Sequence, residues 1–358
     1  TNVTINGELG DYPLYYDGTT YAGKVVYAAS VTSGSTTTYF ESIPNAFSTL
    51  NTSTKTIKLL KNYNGNITLN NVKAIIDLNG KGIYYSGSAS TLTITGSTSN
   101  VTIKDTSSGV GNITYGSHSG SNYAIDLSGG TLYIYKGIII GGDYAINASG
   151  GSITIGDSDS TTQNLQVSAD VFAIKTSNST SLNINKGNIG AVSGAVSLNG
   201  GTTYIGYHPT SNVSNLKINS IEVSNGTVNI MRGGIVGDDY AIWASSNSKI
   251  NIGESSSIGS SSTIDNLKII AKNSNAYAIK AYSSAINIYG GFMGASSGSS
   301  FAYTKDSNSK LTVYGELVDV TTTYDGITYS GKTVAVASIG DTYYYSLQDA
   351  FDALPSTE

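Results

Sequence analysis

Carboxylates, two imidazoles and one indole are the side chains in this sequence that could do chemistry. Asp157 and Asp159, one residue apart in Gly-Asp-Ser-Asp-Ser, have the residue types and spacing of a Ca2+ loop. In a Gly/Ser-rich turn, however, aspartate ordinarily accepts backbone amides, and that reading is preferred, leaving the pair as weak metal candidates only. Asp238 and Asp239 precede the tripeptide Tyr240-Ala241-Ile242, and Asp143 holds the same place before Tyr144-Ala145-Ile146. They read as corner residues and not as the converging carboxylates that glycoside hydrolysis requires. A lyase acting on acidic sugars would need Ca2+ carboxylates and a basic residue beside the α-proton, and Arg232, the single arginine, has no such company in the sequence. His118 and His208, the only histidines, sit in separate segments with no Cys, Glu or second His at ligand spacing, so both are expected to be solvated. The Gly-rich stretches lack the GK[ST] end or following helix of a phosphate cradle. No catalytic residue and no cofactor is assigned.

The aromatic residues say more. In a recurring Tyr-Ala-Ile-x pattern the fourth position is Asp126, Asn147, Lys175, Ser197, Lys280 or Thr304, which marks it as outward, and in one repeat it is Trp243. An outward tryptophan can stack on a sugar ring or anchor a protein partner. The middle residues of a second pattern, Ile-x-Ile, are Tyr133, Thr154, Asn183, Tyr204, Asn229, Asn251, Asn287 and Thr312, a polar ladder on a solvated sheet. Trp243, Tyr133 and Tyr204 are the candidate ligand-binding residues. Flat Thr/Asn ladders also occur on ice-binding solenoids, but the Tyr and Asn residues break the regularity that ice would need.

What must position these residues is a repeat. The Ile-x-Ile pairs at 132/134, 153/155, 182/184, 203/205, 228/230, 250/252, 286/288 and 311/313 are mostly preceded, ten or eleven residues earlier, by Tyr-Ala-Ile or a relative of it such as Phe301-Ala-Tyr. Their spacing largely alternates between short and long, and the long units add Asn164-Leu-Gln-Val, Asn215-Leu-Lys-Ile and Asn266-Leu-Lys-Ile at a constant 51-residue interval. A kelch-type propeller also has a period near 50, but each unit here splits into similar halves, which antiparallel blades do not predict. No helical period lies between the strands, which counts against leucine-rich repeats and βαβ units. Residues 55–318 are therefore expected to form a right-handed parallel β-helix of about ten coils, with inward Ile, Val and Leu stacked in ladders. Glycine pairs such as Gly129-Gly130 and Gly150-Gly151 are expected at corners, and the recurring Asn164, Asn215 and Asn266 at inward corners, hydrogen-bonding coil to coil.

Composition agrees with an all-β chain: 42 Gly, 27 Tyr, 4 Pro and 12% charged residues, with Val, Ile and Tyr in short alternating runs. The net charge of −5 supplies no basic stripe for nucleic acid. No apolar run reaches the roughly 18 residues of a membrane-spanning helix, so no membrane insertion is expected. The absence of cysteine removes disulfides and thiolate chemistry without fixing the compartment.

A solenoid needs caps, because an open first coil would expose its core. Ser42-Ile-Pro-Asn-Ala-Phe-Ser-Thr-Leu and Ser346-Leu-Gln-Asp-Ala-Phe-Asp-Ala-Leu-Pro both carry a helical apolar face: Ile43, Ala46, Phe47 and Leu50 in one, Leu347, Ala350, Phe351 and Leu354 in the other. Upstream of each lies the same sequence, since Tyr16-Asp-Gly-Thr-Thr-Tyr-Ala-Gly-Lys and Tyr324-Asp-Gly-Ile-Thr-Tyr-Ser-Gly-Lys are 308 residues apart, and Gly7-Glu-Leu matches Gly315-Glu-Leu. Residues 1–9 are thus expected to be the last coil of a preceding module, 10–54 a leading hairpin and cap helix, and 319–358 the hairpin and cap helix of the next module.

The order of a cap helix, the strand Thr56-Ile-Lys-Leu-Leu-Lys-Asn, then Asp77-Leu-Asn-Gly-Lys-Gly-Ile83 and Val101-Thr-Ile-Lys-Asp-Thr-Ser-Ser-Gly109, resembles the pectin-lyase-like β-helix repeats of large Gram-positive surface (adhesin-like) proteins. The resemblance implies a secreted, wall- or surface-attached location outside the cell, many modules in one chain and no defined chemistry. The expected partners are neighbouring modules and a glycan or extracellular matrix protein. The competing expectation is a polysaccharide lyase or glycoside hydrolase built on the same fold.

Overall fold

The structure, a computed structural model, describes residues 4–118, 122–156, 164–207, 215–253, 266–273, 275–296, 298, 302–345 and 347–354. Asp157, Asp159, His208, Phe301, Ser346 and Pro355 lie outside the described residues.

Residue alternation dictates the local structure. In Thr131–Ile134, Ser152–Ile155, Ser181–Ile184 and Thr227–Ile230 the second and fourth side chains are buried and the first and third are not, the two-residue period of a half-buried strand. The turns between strands are rich in Gly and Asn with positive φ, among them Gly130, Gly151, Asn178 and Asn225. At Gly130 and Gly151 the corner needs both the left-handed backbone and the missing Cβ, which would otherwise meet backbone atoms of the coil before.

These strands build an all-β molecule with three long sheets, none of them closed into a barrel. Each sheet takes every third strand of the chain in order, and throughout residues 55–313 neighbours are parallel. The first sheet holds the Ile-x-Ile strands, from Lys55–Leu59 to Lys310–Val313. The second runs from Tyr63–Asn64 through strands such as Leu165–Ala169 and Leu267–Ala271 to Phe292–Ala295. The third runs from Ile67–Asn70 through Tyr240–Ser245 to Tyr303–Lys305 and carries the Tyr-Ala-Ile pattern. A sheet order that advances by three is what a three-sided parallel β-solenoid produces.

Register is strict. Ile103, Ile134, Ile155, Ile184, Ile205, Ile230, Ile252, Ile288 and Val313 pair successively down the first sheet, and all but Val313 are fully buried. Each buried isoleucine contributes about 1.5–3 kcal/mol relative to exposure, and a one-residue slip would turn a whole row into water.

Both ends of the parallel array carry antiparallel strands. At one end Ala29–Ser33 pairs antiparallel with Lys55–Leu59 and with Thr36–Phe40, and helix α1 (Ile43–Ser48) buries Ile43, Ala46 and Phe47 against them. At the other end Ile327–Ala335 pairs antiparallel with Phe292–Ala295 and with Glu316–Tyr324. Helix α2 (Leu347–Asp352) buries only Ala350 and leaves Leu347, Phe351 and Leu354 exposed. The difference from α1 is that α1 packs on the hairpin Ala29–Ser33 and Thr36–Phe40 and also reaches Lys55–Leu59, the first strand of the parallel array, whereas α2 packs on the small hairpin Ala337–Ile339 and Thr342–Tyr344.

One expectation is corrected. Asn164 and Asn215 are exposed, so they are not inward corner rungs. They stand where the chain enters the second sheet, and their carbonyls accept the Gly137 and Gly187 amides, which leaves the side chains outside. Other asparagines do bond coil to coil, among them a ladder on the outer face of the first sheet: Asn251 Nδ2 donates to Asn229 Oδ1 at 2.7 Å, and Asn287 Nδ2 to Asn251 Oδ1 at 2.8 Å.

Candidate functional site

Trp243 sits in the third sheet, on Tyr240–Ser245, and is 41% exposed. Its outward direction follows from alternation, since Ala241, Ile242 and Ala244 are fully buried around it. The outer row of this sheet pairs as Lys175, Ser197, Glu222, Trp243, Lys280 and Thr304. Glu222 is the neighbour that sequence reading missed, because its strand, Ile221–Ser224, lacks the Tyr-Ala-Ile pattern.

Around the indole the aromatic rings form a short platform. Tyr240 lies edge-on at 5.4 Å between ring centroids and Tyr282 at 6.4 Å, and the Lys280 ammonium stands 5.6 Å from the centre of the Tyr240 ring. The Tyr240 hydroxyl donates a short hydrogen bond to Glu222 Oε1. Burial, this hydrogen bond and the charges of Glu222 and Asp239 push the Tyr240 phenol well above the ordinary tyrosine range, so it remains a neutral donor.

Beside the platform a groove of about 650 Å3 is lined by residues including Ser193, Asn219, Asp238, Asp239, Tyr240 and Lys272. Lys272 Nζ pairs with Asp238 at 2.8 Å, and Asn273 Nδ2 donates to Asp239 Oδ1 at 2.9 Å. A smaller depression touches Trp243 itself and includes Asn199, Glu222, Ser224 and Ser245. The site offers flat aromatic surface, amides, hydroxyls and paired charges. That chemistry suits stacking and hydrogen bonding to a polyhydroxylated or peptide ligand.

Tyr133 and Tyr204 are elsewhere. Both are half-buried on the outer face of the first sheet, on Thr131–Ile134 and Thr202–Ile205. Two strands separate them, and the row between runs through Thr154 and Asn183. Tyr133 faces Tyr135 at 5.8 Å and Tyr204 faces Tyr207 at 5.7 Å. The structure therefore does not bring the three candidate residues onto one surface.

The carboxylates of the two most distinctive motifs serve the backbone. Asp77 accepts from the Asn79 amide at 3.1 Å, the Thr106 amide at 3.0 Å and the Thr106 hydroxyl at 2.6 Å. Asp105 accepts from the Gly80 amide, the Ser107 amide and hydroxyl, and the Gly111 amide. Each aspartate thus ties its own turn to a neighbouring coil. His118 is exposed, but stacking brings Asp143 and Asp170 to 3.5 and 3.3 Å from its Nδ1, a grouping that spacing along the sequence concealed. Among the described residues no group of three or more His, Cys, Asp or Glu side chains is arranged to hold a metal ion. No described helix is long and apolar enough to cross a membrane.

No family model matches the sequence, and no curated protein or solved structure matches it significantly.

Proposed function

We propose that this chain is a repeat module of a modular bacterial surface protein: a right-handed parallel β-helix of about ten coils, with α1 and α2 as cap helices, that acts as a stalk and as an adhesin-like binding surface outside the cell. The observation that carries the reading is the joint presence of an unbroken three-sheet stack and two copies of one hairpin sequence, one at each end of it. Right-handedness follows from the strong preference of parallel crossovers. Wall or surface attachment rests on the resemblance to Gram-positive β-helix repeats. Neighbouring modules are the first partners, and a glycan or matrix protein bound without catalysis on the Trp243 platform is the second. Repetition along an array would multiply a weak contact of this kind.

A second reading, a polysaccharide lyase or hydrolase, is favoured by one observation, the groove with Asp238 and Asp239 beside Trp243. The engagement of both carboxylates by Lys272 and Asn273 weighs against it.

The test is binding of the chain and of Trp243→Ala to arrays of glycans and matrix proteins, with acidic and neutral polysaccharides assayed in parallel for new reducing ends and unsaturated products. Binding that is lost with Trp243→Ala supports the adhesive reading. Chain cleavage abolished by Asp238→Asn or Asp239→Asn would replace it with the enzymatic one.

A further inference from the structure

The repeated hairpins share their local geometry in every respect that the sequence governs. Strands Glu8–Tyr16 and Thr19–Tyr27 pair in the register Glu8 with Tyr27 through Tyr16 with Thr19; strands Glu316–Tyr324 and Ile327–Ala335 pair as Glu316 with Ala335 through Tyr324 with Ile327. Asp17-Gly18 and Asp325-Gly326 turn the two chains with φ near 49° and 77°, and 48° and 80°, the positive values of a two-residue hairpin loop. Lys24 pairs with Asp11 as Lys332 pairs with Asp319.

Their surroundings differ. The C-terminal hairpin is docked: Lys332, Gly331 and Ser330 pair antiparallel with Met293, Gly294 and Ala295 at the edge of the second sheet. Tyr324 and Tyr329, 9% and 3% exposed, pack with Ile270 and Phe292. Lys217 pairs with Asp325 at 3.0 Å, and Lys268 Nζ donates to the Thr323 carbonyl at 3.0 Å. The N-terminal hairpin is a two-stranded sheet with no third strand among the described residues. Tyr16 and Tyr21, the counterparts of the docked tyrosines, are 69% and 53% exposed. Tyr12 and Leu14, on the same face by register, are exposed as well. A lone two-stranded hairpin is marginal in water, and an aromatic face of this kind marks an interface.

Gly23 identifies what the face is built for. At its counterpart Gly331 a Cβ would fall on the Met293 carbonyl oxygen and come within 2.6 Å of Phe292 and 2.7 Å of Gly294. At Gly23 the only atom a Cβ would approach is the Tyr12 carbonyl oxygen, at 3.2 Å. Neither glycine has the positive φ that would require glycine for its backbone. The free hairpin therefore carries a glycine for which its own contacts ask far less than the docked arrangement does.

From this we infer that the hairpin of residues 8–27 is a docking element whose partner is the terminal coil of a preceding β-helix unit of this same kind. Ala22, Gly23 and Lys24 extend that unit's second sheet antiparallel. Tyr16 and Tyr21 enter the pocket that Ile270, Phe292 and Gly234 form for Tyr324 and Tyr329 here, and Asp17 meets the equivalent of Lys217. The junction between units is then a rigid continuation of the stack and not a flexible linker. This inference rests on the module reading above and specifies how modules join.

The test joins residues 1–308 to a complete second copy, in the register set by the repeat, and compares it with the single chain by hydrogen exchange read on the peptide covering 8–27. In the single chain that peptide exchanges fast as one population. In the tandem chain it is present twice and should split into a fast and a slow population, the slow one protected by about tenfold or more. Gly23→Val in the second copy, whose mass identifies its peptide, should return that copy to fast exchange while both β-helices remain folded. A single fast population in a tandem chain with two protease-resistant units would overturn the docking and leave the module reading standing. Loss of the upstream half to protease would remove the module reading and the docking with it.

Discussion

Asp105→Asn tests whether the motif carboxylates are structural. The Asp105 side chain is buried between two coils and accepts from the Gly80 amide at 3.0 Å, the Ser107 amide at 2.9 Å, the Ser107 hydroxyl at 2.6 Å and, closely, the Gly111 amide. Asparagine keeps one acceptor oxygen and turns a donor toward donors, so at least one buried backbone amide loses its partner. Hydrogen bonds to a charged acceptor contribute about 1.5–3 kcal/mol each and an orphaned buried donor costs about 1–3 kcal/mol, which places the expected loss near 3 kcal/mol. Burial pushes the carboxyl up, but the Ser107 hydroxyl and the amides of Gly111, Ser107 and Gly80 together hold it below the ordinary carboxylate value. A folded-state pKa below the unfolded one means that the stabilisation is complete above the unfolded value of about 3.9 and is lost as pH falls through the folded value. The gap in stability between the natural chain and Asp105→Asn should therefore be constant near neutrality and close in acid. The assay is native-state hydrogen exchange at the Gly80, Ser107 and Gly111 amides, because a stacked repeat can open locally. A loss under about 1 kcal/mol, or a gap that does not narrow below pH ~4, would refute the reasoning.

Gly331→Val should undock the C-terminal hairpin. Burial and the charges of Asp325 and Tyr329 push the Tyr324 phenol up to about 12, and on undocking it should return toward the ordinary value of about 10, as ultraviolet titration would show. By the same linkage, the contribution of the neutral Tyr324 phenol to docking in the natural chain is complete below about 10 and is lost as pH rises through about 12. Glu222→Gln should lower the Tyr240 phenol pKa toward the normal range without unfolding the sheet, measured as a shift in one phenol of the same titration. Asn251→Ala removes the middle rung of the asparagine ladder and should cost about 1–2 kcal/mol in denaturant unfolding, with the neighbouring Ile250 and Ile252 rows intact.

The sequence by itself determined the local terms. Strand after strand, alternation placed Ile, Leu and Val inward and Trp243 outward, because side-chain direction in a strand depends only on position along it. The 51-residue interval implied stacked units, and the Asp-Gly dipeptides defined two hairpins, since a two-residue turn with positive φ is a local property. What neighbours what across coils was decided by tertiary structure. Loops of unequal length set which rows align, so Glu222 meets Trp243 from a strand without its signature, and His118 meets Asp143 and Asp170. Likewise Asn164 and Asn215 are exposed while Asn229, Asn251 and Asn287 form the ladder. The two hairpins make the point most directly: one sequence pattern gives one local geometry, and whether its tyrosines are buried depends on the coil edge placed beside it, which no local rule encodes.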